Sequence, residues 1–267
     1  TISISISKVD DFDKLDNMDN KEFRKLSTIQ HSGVRFINLE AWTENYLQRF
    51  PPEILSPEYM IRGNFRISQS SFHSRIKRIG DLSFSIVLLF FASPLIFISS
   101  ILIYLEDGKS VFYKQERVGL NQKLFTLYKL RTMKIDAEEG TPKWASKNDL
   151  RVTKVGRILR KTRLDELPQL LCVIKGDMSL IGPRPEREVF DKKLENCIPF
   201  YKSRYFIKPG LSGWAQVNYP YGASIDDAKR KLSYDIYYLR NFSIFLDFLI
   251  FFKTIRIVFL RKGSHPL

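Results

Sequence analysis

Residues 82–105 read LSFSIVLLFFASPLIFISSILIYL and include no charged side chain. This apolar run is 24 residues long, and about 20 helical residues are enough to cross the hydrocarbon core of a bilayer. Length alone therefore favours a single transmembrane helix. However, Ser93 and Pro94 lie in the middle of the run, and a proline inside a helix removes a backbone donor and produces a kink.

The segments on both sides of this apolar run are basic. They contain Arg75, Lys77 and Arg78 before the run and Lys109, Lys114 and Arg117 after it. A single membrane span normally keeps its Lys and Arg residues on one side, whereas a hairpin that enters and returns keeps both flanks in the cytoplasm. The sequence therefore predicts a monotopic membrane protein with a re-entrant, broken helix at about residues 80–106.

The positive charge of the chain is concentrated in its second part. The chain has 267 residues and a formal net charge of +14. Residues 1–107 carry 12 basic and 13 acidic side chains, whereas residues 108–267 carry 31 and 16. Such a basic half indicates an anionic partner, which is nucleic acid, a lipid headgroup surface or a phosphorylated substrate. The two cysteines, Cys172 and Cys197, form neither a disulfide framework nor a metal-ligand pattern, which favours a reducing, cytosol-facing location.

Residues 1–70 are too small and too polar to build a core of their own. They contain an acid-rich tail at 1–30, a short strand at 33–39, a short helix at 40–50 and a proline-punctuated linker at 51–60. We interpret this region as a tail and the edge of an upstream domain, and residues 71–267 as the main domain. The chain begins with Thr and shows no secretory signal, so we expect its start to be missing or processed.

Two further elements complete the predicted fold, which is α+β and dominated by helices. Hydrophobic and basic residues alternate over 110–133 around a Gly-Leu-Asn turn at 119–121, which predicts a β-hairpin. Residues 242–260 are strongly apolar but include Asp247 and other charged residues that are costly inside hydrocarbon. We expect an amphipathic helix at the membrane interface or against the re-entrant helix, and a buried core helix is the alternative.

A basic run precedes two adjacent carboxylates. Six of the thirteen residues 151–163 are basic and none is acidic. Lys154, Arg157 and Arg160 recur every third residue, so a helix would place them along one face. Such a face is either a solvated surface or a stripe that binds phosphates or headgroups.

The carboxylates Asp165 and Glu166 come next. Pro168 and Gly176 predict a helix from about residue 165 to 174, with both carboxylates in its first turn. Backbone amides and the helix dipole favour negative charge there, so helix capping is a complete structural explanation. The chemical alternative depends on the neighbouring bases Arg160, Lys161 and Arg163. These bases should keep the carboxylates ionised, and an ionised carboxylate can attack phosphorus or bind a divalent cation.

The third feature is Pro183-Arg184-Pro185. The two prolines fix backbone φ angles and favour an extended Arg184. A guanidinium held in this way loses less entropy when it binds a phosphate through two hydrogen bonds. A rigid surface turn is the alternative.

These motifs together resemble the bacterial sugar transferase family, which are monotopic phosphoglycosyl transferases acting on polyprenol phosphates. The resemblance covers about residues 72–262, and it is carried by LDELPQL at 164–170, KGDMSLIGPRPE at 175–186, KQERVGLNQKLFTLYKLRTM at 114–133 and KPGLSGWAQVNY at 208–219. Its central Ser-Pro matches Ser93 and Pro94, which would form the kink of the re-entrant helix. Leu130 departs from the pattern, since an aromatic residue is common there.

The resemblance assigns roles to individual residues. Asp165 would be the nucleophile, and Asp165 and Glu166 would hold Mg²⁺. The groups that would bind substrate or phosphate are Arg160, Arg184, Arg204, Lys208, Arg117 and Arg131, although the last two are equally compatible with a solvated hairpin face. Pro183, Pro185 and Asp177 would be structural residues at the site.

The resemblance also implies a reaction and a location. A sugar-1-phosphate would pass from a UDP-sugar, of the hexose type, to polyprenol (undecaprenyl) phosphate, with release of UMP and a covalent aspartyl-phosphosugar intermediate. This is the first membrane step of exopolysaccharide, capsule or O-antigen synthesis, and the chain would be the catalytic part of a large member. The site would face the cytoplasm at the bacterial inner membrane.

Two other classes of function stay open at this point, and so does the oligomeric state. One is a membrane-tethered nucleic-acid binder, but the chain shows no aromatic stacking platform or recognition-helix motif, so we expect no nucleic acid. The other is a non-catalytic scaffold in which the carboxylates only cap a helix. A homodimer is an open alternative to a monomer.

Overall fold

The structure is a computed structural model that describes residues 4–6, 20–32, 36–62, 72–135, 137, 149–220, 222 and 224–259. The α-helices are α1 (Asn20–His31), α2 (Leu39–Trp42), α3 (Pro57–Arg62), α4 (Phe72–Asp107), α5 (Lys154–Thr162), α6 (Leu170–Lys175), α7 (Glu188–Cys197), α8 (Trp214–Asn218), α9 (Ile225–Arg240) and α10 (Ile244–Phe259). A π-helix covers Thr43–Leu47, and 3₁₀ helices cover Pro52–Ile54, Leu120–Gln122, Leu164–Gln169 and Tyr201–Phe206.

The described strands form three small two-stranded sheets. The strands are β1 (Ile4–Ile6), β2 (Phe36–Asn38), β3 (Phe112–Val118), β4 (Leu124–Leu130), β5 (Ser179–Ile181) and β6 (Gly210–Ser212). β3 and β4 pair antiparallel from Phe112 opposite Leu130 to Val118 opposite Leu124, which confirms the predicted hairpin. β1 pairs with β2 and β5 pairs with β6, both in parallel. The predicted helix-dominated α+β class is also confirmed.

The apolar run lies within α4, which has 36 residues. α4 is long and apolar enough to cross a membrane, judged by length and composition. Its helical backbone continues through Pro94, and the predicted interruption at Ser93 and Pro94 is not seen as a break in the helix. The large side chains of its middle are exposed, including Phe90 and Phe91, which are 73% and 71% exposed.

The first turns of α4 are tied to the rest of the fold by charged side chains. Lys77 forms an ion pair with Asp247 of α10, with Nζ and Oδ2 2.6 Å apart. Arg78 donates hydrogen bonds to the backbone carbonyls of Val173 and Ile174, at 2.6 and 2.8 Å. These contacts fix the beginning of α4 against α6 and α10.

The last turn of α4 is tied to the hairpin and to α5. Arg131, directly after β4, donates two hydrogen bonds to the carboxylate of Asp107, both 2.5 Å long. The Glu106 carboxylate accepts a hydrogen bond from the backbone N–H of Lys154 at 2.9 Å. Both ends of α4 therefore contact the unit formed by the hairpin, α5, α6 and α10.

The C-terminal helix α10 has a buried face and an exposed face. Leu246 and Ile250 are buried in a core cluster, whereas Phe245 and Phe252 are 81% and 64% exposed. Asp247 is stabilised on the inner side by Lys77 and by the Tyr238 hydroxyl, which donates at 2.6 Å. α10 thus packs against α4, which is one of the arrangements that the sequence predicted. Its other face is apolar and is not covered by the described residues.

Residues that precede position 71 pack against the core of the main domain. Phe50 is fully buried in a cluster with Leu232 and Ile236 of α9, and its N–H donates to the Ser233 carbonyl at 2.8 Å. The Gln48 carbonyl accepts a hydrogen bond from the indole of Trp214 at 2.9 Å. The polar tail prediction also missed α1, while the strand expected at 33–39 corresponds to β2.

We expect Phe50→Ala to lower the free energy of unfolding by about 3–5 kcal/mol, because it leaves a cavity in a packed core. Tyr46→Ala is the matched control, since Tyr46 lies in the same segment but is 63% exposed, and surface substitutions usually change stability by about 0.5 kcal/mol or less. Thermal unfolding of both variants in detergent measures the difference. Equal effects would contradict the packing of this segment.

Candidate functional site

A cavity of about 1000 Å³ lies between α4, the hairpin, the 3₁₀ helix Leu164–Gln169 and α9. Its charged lining includes Asp165, Glu166, Lys129, Arg160, Arg163, Arg184, Arg117, Arg131, Arg204 and Lys231. Its apolar lining includes Leu88, Phe91, Ala92 and Leu95 of α4 and Phe251 and Ile257 of α10. One cavity therefore joins a dense basic cluster to the apolar helix.

The two adjacent carboxylates sit on a tight turn rather than on the first turn of an α-helix. Arg163 ends α5 in the left-handed conformation, with φ 61°, and the 3₁₀ helix begins directly after it. Pro168 has no N–H to donate, which suits the tighter and shorter helix. The predicted stop at Gly176 is confirmed, with φ 97° at the end of α6.

Glu166 is held by cations. Its Oε1 atom accepts a hydrogen bond from Arg184 at 2.5 Å and lies 3.4 Å from the Lys129 ammonium. Arg163 is 3.9 Å away. Glu166 thus links the Pro-Arg-Pro segment, the hairpin and α5 at one point.

Asp165 is buried, at 4% exposure, but differs from Glu166 in its contacts. Among the described residues, no donor forms a hydrogen bond or close ion pair with its carboxylate, and none of its oxygens caps the 3₁₀ helix. Burial, and secondly the charge of Glu166, raise the pKa of Asp165 to about 6, against the opposing effect of Lys129, Arg160 and Arg163. The sequence predicted that neighbouring bases would keep the carboxylate ionised. Burial has a larger effect on the pKa than these bases, but the carboxylate is still largely ionised at neutral pH.

Lys129 lines the cavity and was not named as a site residue in the sequence analysis. It lies on β4 and its ammonium contacts Glu166. Burial lowers the pKa of Lys129 to about 8, and the charge of Glu166 opposes that shift. A signal for it exists in the sequence, since strand alternation places Lys129 on the same face as Phe125 and Leu127, which belong to the core.

The backbone of the Pro-Arg-Pro segment is fixed by three hydrogen bonds to successive carbonyls. The Pro183 carbonyl accepts from the N–H of Gly210 at 2.8 Å. The Arg184 carbonyl accepts from Arg204 at 2.7 Å, and the Pro185 carbonyl accepts from Arg117 at 3.2 Å. Each of the three residues therefore has its carbonyl fixed by a hydrogen bond, and this backbone positions the Arg184 guanidinium next to Glu166.

Arg204 is engaged mainly by protein groups. It donates to the Tyr201 hydroxyl at 2.6 Å and pairs with the buried Asp235 at 3.2 Å. Its guanidinium also lies over the rings of Tyr201 and Tyr205. These contacts place Arg204 behind the Pro-Arg-Pro segment, where it supports the backbone.

The remaining predicted residues divide between the cavity and another part of the fold. Arg160 lines the cavity and its Nε donates to the Thr132 hydroxyl at 2.8 Å, whereas Lys161 is exposed. Lys208 and Asp177 do not line this cavity. They lie near Gly176 and Arg78, where burial and the charge of Arg78 lower the pKa of Lys208.

The donor set around Asp165 suits Mg²⁺ only in combination with a substrate. The described residues contain no group of three or more metal-ligating side chains. Mg²⁺ commonly uses one or two carboxylates and completes its octahedral shell with waters and substrate phosphates. The Asp165 carboxylate forms no hydrogen bond with the described residues and lies beside Glu166, so these two carboxylates could serve as the protein ligands of such an ion.

The apolar helix α4 suggests membrane association, and the cavity beside it is lined by many cationic side chains. Comparison with known sequences agrees: the family described as "Bacterial sugar transferase" matches residues 72–261. The chain belongs to this family.

Several relatives carry names that describe related activities. The UDP-N-acetylgalactosamine-undecaprenyl-phosphate N-acetylgalactosaminephosphotransferase of Aeromonas hydrophila is 44% identical over 73% of this chain and 46% of its own length. The UDP-glucose:undecaprenyl-phosphate glucose-1-phosphate transferase of Escherichia coli is 33% identical over 71% of this chain and 41% of its own length. The undecaprenyl-phosphate galactose phosphotransferase of Salmonella typhimurium is 37% identical over 79% of this chain and 46% of its own length. The chain thus spans less than half the length of these three relatives.

Proposed function

We propose that this chain transfers a sugar-1-phosphate from a UDP-hexose to polyprenol (undecaprenyl) phosphate and releases UMP. The observation that carries the proposal is the Asp165 carboxylate, which is buried without a hydrogen bond from the described residues. It lies in a cavity lined by cations and by part of the apolar helix α4. The relatives support the acceptor and the three sugar types that their names give. The pathway would be the synthesis of exopolysaccharide, capsule or O-antigen.

The first chemical step is an attack by the Asp165 carboxylate. One oxygen forms a bond to the sugar-side phosphorus, the bond from that phosphorus to the UMP oxygen breaks, and UMP leaves with the electron pair. An aspartyl phosphosugar remains. Arg184, Lys129 and Arg160 supply positive charge against the diphosphate, which otherwise repels the nucleophile.

The second step regenerates the carboxylate. A phosphate oxygen of polyprenol phosphate attacks the phosphorus of the aspartyl phosphosugar, and the bond from phosphorus to Asp165 breaks. The product is polyprenol diphosphate sugar. Because the acceptor tail is in the bilayer, the apolar lining by Leu88, Phe91 and Leu95 gives it a route to the same cavity.

Mg²⁺ would be held by Asp165 and Glu166 and, when bound, would neutralise diphosphate charge. Glu166→Gln is expected to lower the rate of UMP release by about 10- to 100-fold, with partial recovery at higher Mg²⁺ concentration. Glu188→Gln on α7 is the control, since its carboxylate pairs with the exposed Lys192. An unchanged dependence on Mg²⁺ in Glu166→Gln would remove the metal role from this side chain.

We also propose that α4 is re-entrant, so that the protein is monotopic at the cytoplasmic face of the inner membrane. The support is that both ends of α4 contact the same unit, through Arg78 and Asp107. Pro94 lies between them and would supply the bend.

Cysteine labelling tests this topology. Ser74→Cys and Lys109→Cys are made separately in a Cys197→Ser background, which leaves only the buried Cys172 as a native thiol. Both introduced cysteines are expected to react with a membrane-impermeant maleimide from the same face of sealed inside-out vesicles. The same pair should be protected in right-side-out cells. Labelling of the two positions from opposite faces would make α4 a transmembrane span.

A panel of UDP-sugars with polyprenol phosphate, followed by UMP release, tests the proposed function directly. We expect one or a few UDP-hexoses to release UMP in proportion to polyprenol diphosphate sugar. A scaffold would release none with any donor. A nucleic-acid binder would instead show salt-sensitive oligonucleotide binding without turnover.

A further inference from the structure

The outward face of α5 carries a mixed basic and apolar stripe. Lys154, Arg157, Ile158 and Lys161 are exposed, and their spacing of three and four residues places them on one side of the helix. The predicted stripe of Lys154, Arg157 and Arg160 therefore divides, since Arg160 turns inward to Thr132 and the cavity.

The cations of this stripe are not neutralised by the described part of the chain. Within that part, the side chains of Lys154, Arg157 and Lys161 make no hydrogen bond or ion pair, and residues 151–163 contain no acidic residue. On another face of the molecule, two exposed lysines are paired, Lys192 with Glu188 and Lys202 with Glu195. Within the described residues, the stripe is thus a concentration of positive charge whose side chains have no ion-pair partner.

The stripe begins next to the end of α4. Glu106, in the last turn of α4, accepts hydrogen bonds from the N–H groups of Lys154 and Val155 at 2.9 and 3.3 Å. Just before Glu106, Tyr104 and Leu105 are 58% and 73% exposed. α5 therefore begins where the exposed apolar surface of α4 ends.

Two apolar side chains accompany the cations. Ile158 is 64% exposed within the stripe, and Leu150, shortly before α5, is 89% exposed. Lys and Arg mixed with exposed aliphatic side chains are typical of surfaces that lie in the headgroup region of a bilayer, and less so of surfaces that bind a soluble polyanion.

We propose that this face of α5 docks onto the phosphates of anionic lipid headgroups. The proposal rests on the membrane association proposed above and adds the lipid class that the protein would select. Because Arg160 on the inner side of the same helix lines the cavity around Asp165, docking of α5 fixes the height of that cavity at the headgroup layer, where the acceptor phosphate lies.

Lipid quenching in nanodiscs tests the docking without any turnover. A fluorescent label is attached at Leu150→Cys in a Cys197→Ser background, and a second protein is labelled at Val189→Cys on α7. The nanodiscs contain phosphatidylcholine alone or mixed with phosphatidylglycerol, each with a headgroup nitroxide lipid. We expect the Leu150 label to be quenched more strongly in the anionic discs and the Val189 label to be indifferent.

The charge variants decide the interpretation. Lys154→Gln, Arg157→Gln and Lys161→Gln are each expected to weaken docking about five-fold, and on the order of 100-fold together. The matched control combines Lys192→Gln, Lys193→Gln and Lys202→Gln, which removes the same charge from another face and should leave quenching unchanged. Equal loss in both variants, or no preference of the unmodified stripe for anionic lipid, would overturn the proposal.

Two further outcomes separate this proposal from its rivals. UMP release by the protein with the unmodified stripe, measured in the same discs, reports on the proposed function alone. Normal quenching without UMP release would therefore contradict the proposed function and leave the docking proposal standing. Binding of a short oligonucleotide that is lost in the stripe variant, without any lipid quenching, would assign the face to nucleic acid and overturn the lipid proposal.

Discussion

Asp165→Asn is expected to abolish UMP release, with a loss of about 10⁴-fold or more, because the amide that replaces the carboxylate is a poor nucleophile and cannot form the aspartyl phosphosugar. The fold should survive, since the Asp165 carboxylate makes no hydrogen bond or close ion pair with the described residues and lies where burial opposes its charge. UMP release and thermal unfolding, measured on the same preparation, separate the two effects.

The matched control for this prediction is Asp226→Asn. Asp226 is exposed in the first turn of α9 and does not line the cavity, so the same chemical change there should leave UMP release within about two-fold of the parent chain. Mass spectrometry of protein quenched in the presence of a UDP-sugar should find the phosphosugar adduct on Asp165. An adduct on another side chain, or full activity of Asp165→Asn, would transfer the nucleophilic role elsewhere.

The parts of this site that the sequence predicted are those encoded by short, stiff motifs. Pro183 and Pro185 restrict the backbone whatever the surroundings, and Gly176 marks a helix end that only its conformational freedom allows. The β3–β4 hairpin was likewise visible because its alternation is local. In each case the information lies within a few residues.

The parts that the sequence did not predict depend on contacts between distant segments. Lys129 is about forty residues from Glu166 along the chain, and only the pairing of β3 with β4 turns its side chain toward the carboxylates. Lys208 looked equivalent to Arg204 in sequence, but it lies beside Arg78 and outside the cavity. Phe50 ended the short helix predicted at 40–50, and its burial was not predicted because its partners on α9 are far away in sequence.

Lys129→Met is expected to slow UMP release about 100-fold or more, since removal of one charged group that stabilises developing negative charge commonly has an effect of about 10²- to 10³-fold. Lys129→Arg should retain much of the activity because it keeps the charge. Lys123→Met is the control, since Lys123 is exposed at the turn of the same hairpin. Comparable losses in Lys129→Met and Lys123→Met would remove the electrostatic role of Lys129.

The pH dependence of the first half-reaction distinguishes a charge role from a packing role for Lys129. Single-turnover UMP release without acceptor avoids the titration of polyprenol phosphate. The rate should fall as the pH drops through about 6, where Asp165 becomes protonated, and again as the pH rises through about 8, where Lys129 loses its charge. Lys129→Arg should keep the acidic limb and lose the alkaline one, because a guanidinium stays protonated throughout this range. An alkaline limb that persists unchanged in Lys129→Arg would mean that another group carries it, and that the positive charge between the carboxylates and the diphosphate does not come from this lysine.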